Sequence, residues 1–221
     1  MVNRYSPQLG GPRMKYWQKA TLTAAGLIGA TAFVYWLTRR SSDLSGKRFE
    51  PYSAKARELF RVAALSAGLP PEWADDPGLH YILNSESGGY VGIPNYKFNL
   101  LFGSKFNTAA RAAEWPKAWE IIRLDESASQ GRKRHPGFNS RASGLGQLQP
   151  AAVKSHYPDK LKGVGDPVNE AVGMLRYIAS RYGSPAVARS VYGRGGKGDE
   201  AAHYTHAITG AKRRKTFREG Y

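Results

Sequence analysis

At 221 residues, with 41% hydrophobic and 23% charged residues, the chain can bury the core of one ordinary domain plus extra segments, which excludes wholesale disorder. Its 33 Lys+Arg against 17 Asp+Glu give a net charge of +16, and this calls for an anionic partner: nucleic acid, an anionic membrane surface, or an acidic polymer such as a cell wall. Cysteine is absent, so disulfides, thiolate metal sites and Cys nucleophiles are excluded, and the five His show no ligand spacing that would predict a metal site.

Residues 1–19 form a basic, polar N-terminal tail broken at Gly10-Gly11-Pro12. From Ala20 to Thr38 no residue is charged, and at about 1.5 Å per residue a helix there would span about 28 Å, close to a bilayer core. Tyr16-Trp17 and Tyr35-Trp36 stand at its ends, with Lys19 and Arg39-Arg40 outside, in the manner of interfacial anchors. A single uncleaved transmembrane helix at 20–38 is the expectation; a secretory signal and a buried core helix are the competing readings. Basic residues flank both ends, so charge gives no orientation.

A polar linker covers 39–52, and a mainly α domain is expected over 53–209. Ser53 is placed to cap a helix running to Gly68, with Ala56, Leu59, Phe60, Ala63 and Ala64 on one side. Gly68-Leu69-Pro70-Pro71 stops it, and a second helix, interrupted at Asp75-Asp76-Pro77-Gly78, runs into Glu86. Its last turns are apolar at Leu79, Ile82 and Leu83, and Gly88-Gly89 ends it. A carboxylate left at such a helix end, against an apolar wall, suits a general acid because desolvation raises its pKa. An ordinary solvated Glu is the competing reading.

Residues 90–139 are rich in aromatic and basic side chains, with one helix expected near Asn107 to Arg123 and a basic run at Arg132-Lys133-Arg134-His135. Such a composition suits stacking on bases or sugar rings, and equally the packing of an insertion onto the domain. In Ser140 to Pro150, Gly144 and Gly146 bracket Leu145, and the amide of Gln147 suits sugar hydroxyl and acetamido groups. Asp166-Pro167 opens a core helix to Arg181, Pro185 to Tyr192 is a short helix, and Glu200 to Ile208 a last one. His203 and His206 read as exposed polar residues, and 210–221 as a basic C-terminal tail.

In order, these pieces resemble the lytic transglycosylase family, of the soluble type with a goose-lysozyme-like domain. The resemblance rests on Glu86-Ser87; on Gly144-Leu145-Gly146-Gln147-Leu148-Gln149-Pro150; on Asp166-Pro167-Val168-Asn169 with Gly173; on Val191-Tyr192-Gly193; and on Glu200 with Tyr204. It covers about residues 55 to 209. Gly146 stands where the family has Met, Gly193 where it has Asn, and Glu86 lies 58 positions before Gly144, so residues from about 90 to 139 read as an insertion.

The resemblance implies a lysozyme-like fold and cleavage of the MurNAc–GlcNAc bond of peptidoglycan with a 1,6-anhydro product. Glu86 would be the catalytic acid and then base, with Ser87, Gly144, Gln147, Gln149, Tyr192 and Tyr204 binding substrate, and with no cofactor. The partners implied are glycan strands, a membrane through 20–38, and an envelope or virion assembly, with the catalytic domain on the periplasmic side or in a phage particle. A goose-type hydrolase on the same fold would need a placed water and a base such as Asp166 or Glu170. Two rival classes stand beside these enzymes: a non-catalytic wall-binding or virion protein, and a nucleic-acid binder suggested by charge alone.

Overall fold

The computed structural model describes residues 46–95, 106–127, 141–192 and 203–214. Six α-helices, three short 3₁₀ turns and one two-stranded ribbon make up the regular structure of these residues, which is mainly helical. The helices are α1 (Ala54–Ala67), α2 (Pro77–Ser87), α3 (Trp115–Ser127), α4 (Pro150–His156), α5 (Pro167–Arg181) and α6 (Pro185–Val191). Strands β1 (His203–Thr205) and β2 (Lys212–Arg214) pair antiparallel. Among the described residues no helix is long and apolar enough to cross a membrane; the span expected at 20–38 lies outside them.

Local chemistry sets the helix limits. The Ser53 hydroxyl accepts from the Ala56 N–H at 3.1 Å and opens α1, which closes at Gly68. Asp76 accepts from the Gly78 N–H at 2.7 Å ahead of Pro77, and so opens α2. Asp166 does the same for α5, accepting from the Asn169 N–H at 2.7 Å ahead of Pro167. The break expected at Asp75-Gly78 falls at Asp76, and the stretch before it, Pro71–Asp75, is a 3₁₀ turn.

The main core joins Leu59, Phe60 and Ala63 of α1, Leu79, Ile82 and Leu83 of α2, and Val172, Leu175 and Ile178 of α5, with Val91 and Leu145 between them. Each fully buried side chain of this size contributes about 1.5–3 kcal/mol. α2 is further pinned by His80, whose Nε2 donates to the Ala74 carbonyl at 2.9 Å while Nδ1 accepts from the Tyr52 N–H at 3.1 Å.

A second core shows how the described part of the segment expected as an insertion packs onto the domain. Phe106, Trp115, Ala118 and Ile122 pack with Leu148, Val153, Tyr157 and Val164, residues that flank the glycine-rich turn and precede α5. The Trp115 indole N–H donates to the Phe106 carbonyl at 3.0 Å, and that of Trp119 to the Gly92 carbonyl at 2.7 Å. The buried aromatics Phe106, Trp115 and Trp119 serve this packing and are not available to stack on a ligand. Residues 96–105 and 128–140, including the basic run, lie outside the described set.

The helix expected at Glu200 to Ile208 is not formed: 203–205 is a strand, and β2 takes in part of the expected tail. The reason is local. His206 is buried, its Nε2 donates to the Ala179 carbonyl at 3.0 Å, and its Nδ1 accepts from the N–H groups of Ile208 and Thr209. That ring organises a tight turn before Gly210 and ties the ribbon to α5.

Candidate active site

Glu86 occupies the last turn of α2, seven residues after Leu79 and four after Ile82, so it continues the helix's buried stripe. The carboxyl is therefore half-buried, and desolvation pushes it up from the ordinary 4.5 to about 7. Gly88, in the left-handed region at φ 60, turns the chain away at once, and no further helical turn covers the acid.

The partner of Glu86 comes from another helix. The Tyr192 side chain, at the C-cap of α6, hydrogen-bonds the Glu86 carboxyl and holds its pKa lower than burial alone would. The phenol is itself raised well above its ordinary value, by desolvation first and then by the Glu86 charge, so it remains a donor. Ser85 also hydrogen-bonds the phenol and acts in the opposite sense. The Tyr81 ring meets Tyr192 edge-on, with centroids 5.7 Å apart and planes at 81°. Ser85 and Tyr81 escape sequence reasoning. They are four apart on one face of α2, but nothing local says that α6 packs there.

Ser87 points inward: its hydroxyl donates to the Leu83 carbonyl at 3.2 Å and accepts from the Gly89 N–H at 3.1 Å. It shapes the turn after the acid. Gly144 and Gln147 sit in the tight turn that pairs Ser143 with Leu148. Gln147 is buried with φ 45, a left-handed conformation that costs a non-glycine residue about 1 kcal/mol or more. Its side chain offsets that strain. The amide nitrogen donates to the carbonyls of Ile93 (2.8 Å) and Gly144 (3.1 Å), and Oε1 accepts from Asn95 at 3.2 Å. Gln147 thus locks the turn to the segment that leaves Glu86 through Gly88-Gly89, and its amide hydrogens are already given to the protein. Gln149 is exposed just ahead of Pro150, and Tyr204 lies on β1 opposite Arg213, with its side chain outside the described set.

Glu170 has an unexpected place. It is fully buried in α5 and accepts three backbone N–H groups, from Gly165 at 2.7 Å, Leu145 at 2.9 Å and Gly92 at 3.1 Å. Burial pushes its carboxyl up to about 8 against the pull of those donors. Gly144 lies against it so closely that a Cβ there would stand 2.7 Å from the Glu170 carboxyl carbon. Glu170 is a tie between three segments and is closed to solvent. Asp166 is committed to its cap, accepting from the Asn169 backbone and side chain. Glu170 is thereby kept from activating a water, and among the described residues no other carboxylate contributes to the shift of Glu86.

Among the described residues no group of three His, Asp or Glu side chains is placed to hold a metal ion. No protein-family model matches the chain, and neither the curated proteins nor the solved structures include a significant match.

Proposed function

We propose that this protein is a membrane-anchored peptidoglycan lytic transglycosylase with a lysozyme-like domain, cutting the bond between N-acetylmuramic acid and N-acetylglucosamine. The observation that carries the reading is the Glu86 carboxyl, half-buried at a helix end, raised to about 7 and hydrogen-bonded by Tyr192. Such an acid keeps its proton near neutral pH and can deliver it to a glycosidic oxygen.

The steps balance on one carboxyl group. Glu86 gives its proton to the leaving oxygen as the bond from C1 breaks. The carboxylate then takes the proton of the muramyl C6 hydroxyl as that oxygen closes onto C1, which yields the 1,6-anhydro ring and restores the acid. An ordinary glycosidase needs a second carboxylate for its water or its covalent intermediate. The intramolecular hydroxyl removes that need, in keeping with the burial of Glu170 and the capping role of Asp166. The net charge of +16 suits an anionic wall polymer. The apolar stretch at 20–38 would tether the domain beside the wall, in envelope assembly or phage entry.

Dye release from labelled sacculi by the full-length chain in detergent tests the reading. Release that is lost in Glu86→Gln supports it; equal release by both proteins, or none by either, contradicts it.

A further inference from the structure

Arg189 of α6 lies beside this site and pairs with no carboxylate among the described residues. Its guanidinium carbon is 3.4 Å from the centroid of the Tyr81 ring, the ring that abuts Tyr192. Arg48, Arg57, Arg61, Arg111 and Arg123 each have a carboxylate within 3.8 Å; Arg189 has none among the described residues. In particular it makes no ion pair with Glu86, and the two tyrosine rings are its link to the acid.

The placement is built by both helices. At Gly78, near the start of α2, a Cβ would stand 2.8 Å from the Pro185 carbonyl oxygen and 3.0 Å from the Arg189 Cβ, so the missing side chain is what lets α6 come close. Tyr81 is 36% exposed and Arg189 is half-buried, so the pair stands at the rim of the site with solvent access. A planar guanidinium at 3.4 Å lies against the ring face and keeps its N–H fork at its edge. That fork matches a carboxylate bidentately, and the aromatic brace removes much of the side-chain freedom that binding would otherwise have to order.

We propose that Arg189, braced on Tyr81, is a carboxylate-binding residue beside Glu86 and Tyr192, and that it takes a carboxylate carried by the muramyl part of the glycan. The inference rests on the reading of Glu86 as a peptidoglycan-cleaving acid, and it adds a determinant of which sugar occupies the site. Two sources carry the chemistry. The lactyl group offers a free carboxylate on strands without peptide, whereas on strands with stem peptides it is amide-linked and the stem supplies its own carboxylates.

Calorimetric titration of the full-length Glu86→Gln protein, which binds without turnover, tests it with three probes. These are a muramyl tetrasaccharide with stem peptides, the same sugar with peptides removed, and chitotetraose, which has no carboxylate. Adding Arg189→Gln is expected to weaken one or both muramyl probes roughly tenfold, about 1.4 kcal/mol, and to leave chitotetraose unchanged. Arg189→Lys should restore part of the loss, because it returns the charge but not the fork. A loss confined to the stem-bearing probe identifies the stem as source, and one confined to the bare glycan identifies the lactyl group. Equal weakening of all three probes, or no weakening, overturns the inference while leaving the Glu86 reading standing. No binding of any probe with Arg189 intact overturns both.

Discussion

Tyr192, at the end of α6, hydrogen-bonds Glu86, at the end of α2, and so joins the two helix termini through one phenol and one carboxyl group. The bond has a definite electrostatic sign. It lowers a Glu86 pKa that burial raises, and the balance lies at about 7.

Tyr192→Phe removes the donor and leaves the burial. The Glu86 pKa is expected to rise above its wild-type value, and the alkaline limb of the kcat profile to move to higher pH. The rate at the optimum should fall about tenfold, the scale of one charge-assisted hydrogen bond lost at the reacting group. A pH–rate profile of the variant checks both effects.

The pH dependence of stability follows from the same group. Folded Glu86 titrates at about 7 against an ordinary 4.5, so between those values the native state binds more protons than the unfolded one. Its contribution to stability is greatest below pH 4.5, falls as pH rises through about 7, and is flat above. Glu86→Gln abolishes this dependence. After discounting for partial exposure, the variant should be more stable than wild type by about 1–2 kcal/mol at pH 8, and the gain should shrink towards pH 4.5. Urea melts of both proteins at the two pH values measure it.

Glu170 acts on the fold. Glu170→Ala leaves the N–H groups of Gly92, Leu145 and Gly165 buried without their acceptor and opens a cavity, at a cost of about 3–5 kcal/mol. Glu170→Gln keeps the volume but turns an N–H₂ towards a backbone donor, so its cost should be smaller and still measurable. Denaturant midpoints of the two variants give the order.

His80 works with the opposite sign from Glu86. Burial lowers its pKa, and the neutral ring donates through Nε2 while Nδ1 accepts from Tyr52. Its contribution is fully present above the ordinary value of 6.5 and is lost as pH falls through the depressed folded value. A ring protonated at Nδ1 would face the Tyr52 N–H donor to donor. The nitrogen-15 titration of the His80 ring should therefore have its midpoint at lower pH than that of an exposed histidine.

What is legible in the sequence is local. Ser53 and Asp166 announce their helices because capping is decided within four residues, and Glu86 stands out because it completes a stripe begun at Leu79. Tyr192 is reached through the order of motifs, and its meeting with Glu86 depends on how α2 and α6 pack. Glu170 reads locally as one more polar residue of an amphipathic helix. Its partners Gly92 and Leu145 are 78 and 25 positions away, and only the folded chain brings them to it. The ribbon at 203–214 reads as helix and tail in the sequence, because the helical preference of nearby alanines hides a buried His206 turn that overrides it.

Mass spectrometry of the muropeptides that the full-length chain releases from purified peptidoglycan, with Glu86→Gln beside it, tests the central claim most directly. Products ending in 1,6-anhydromuramic acid, absent with the variant, are predicted. Reducing ends carrying one added water would contradict the single-carboxyl mechanism, and an unchanged product from Glu86→Gln would remove Glu86 from the chemistry.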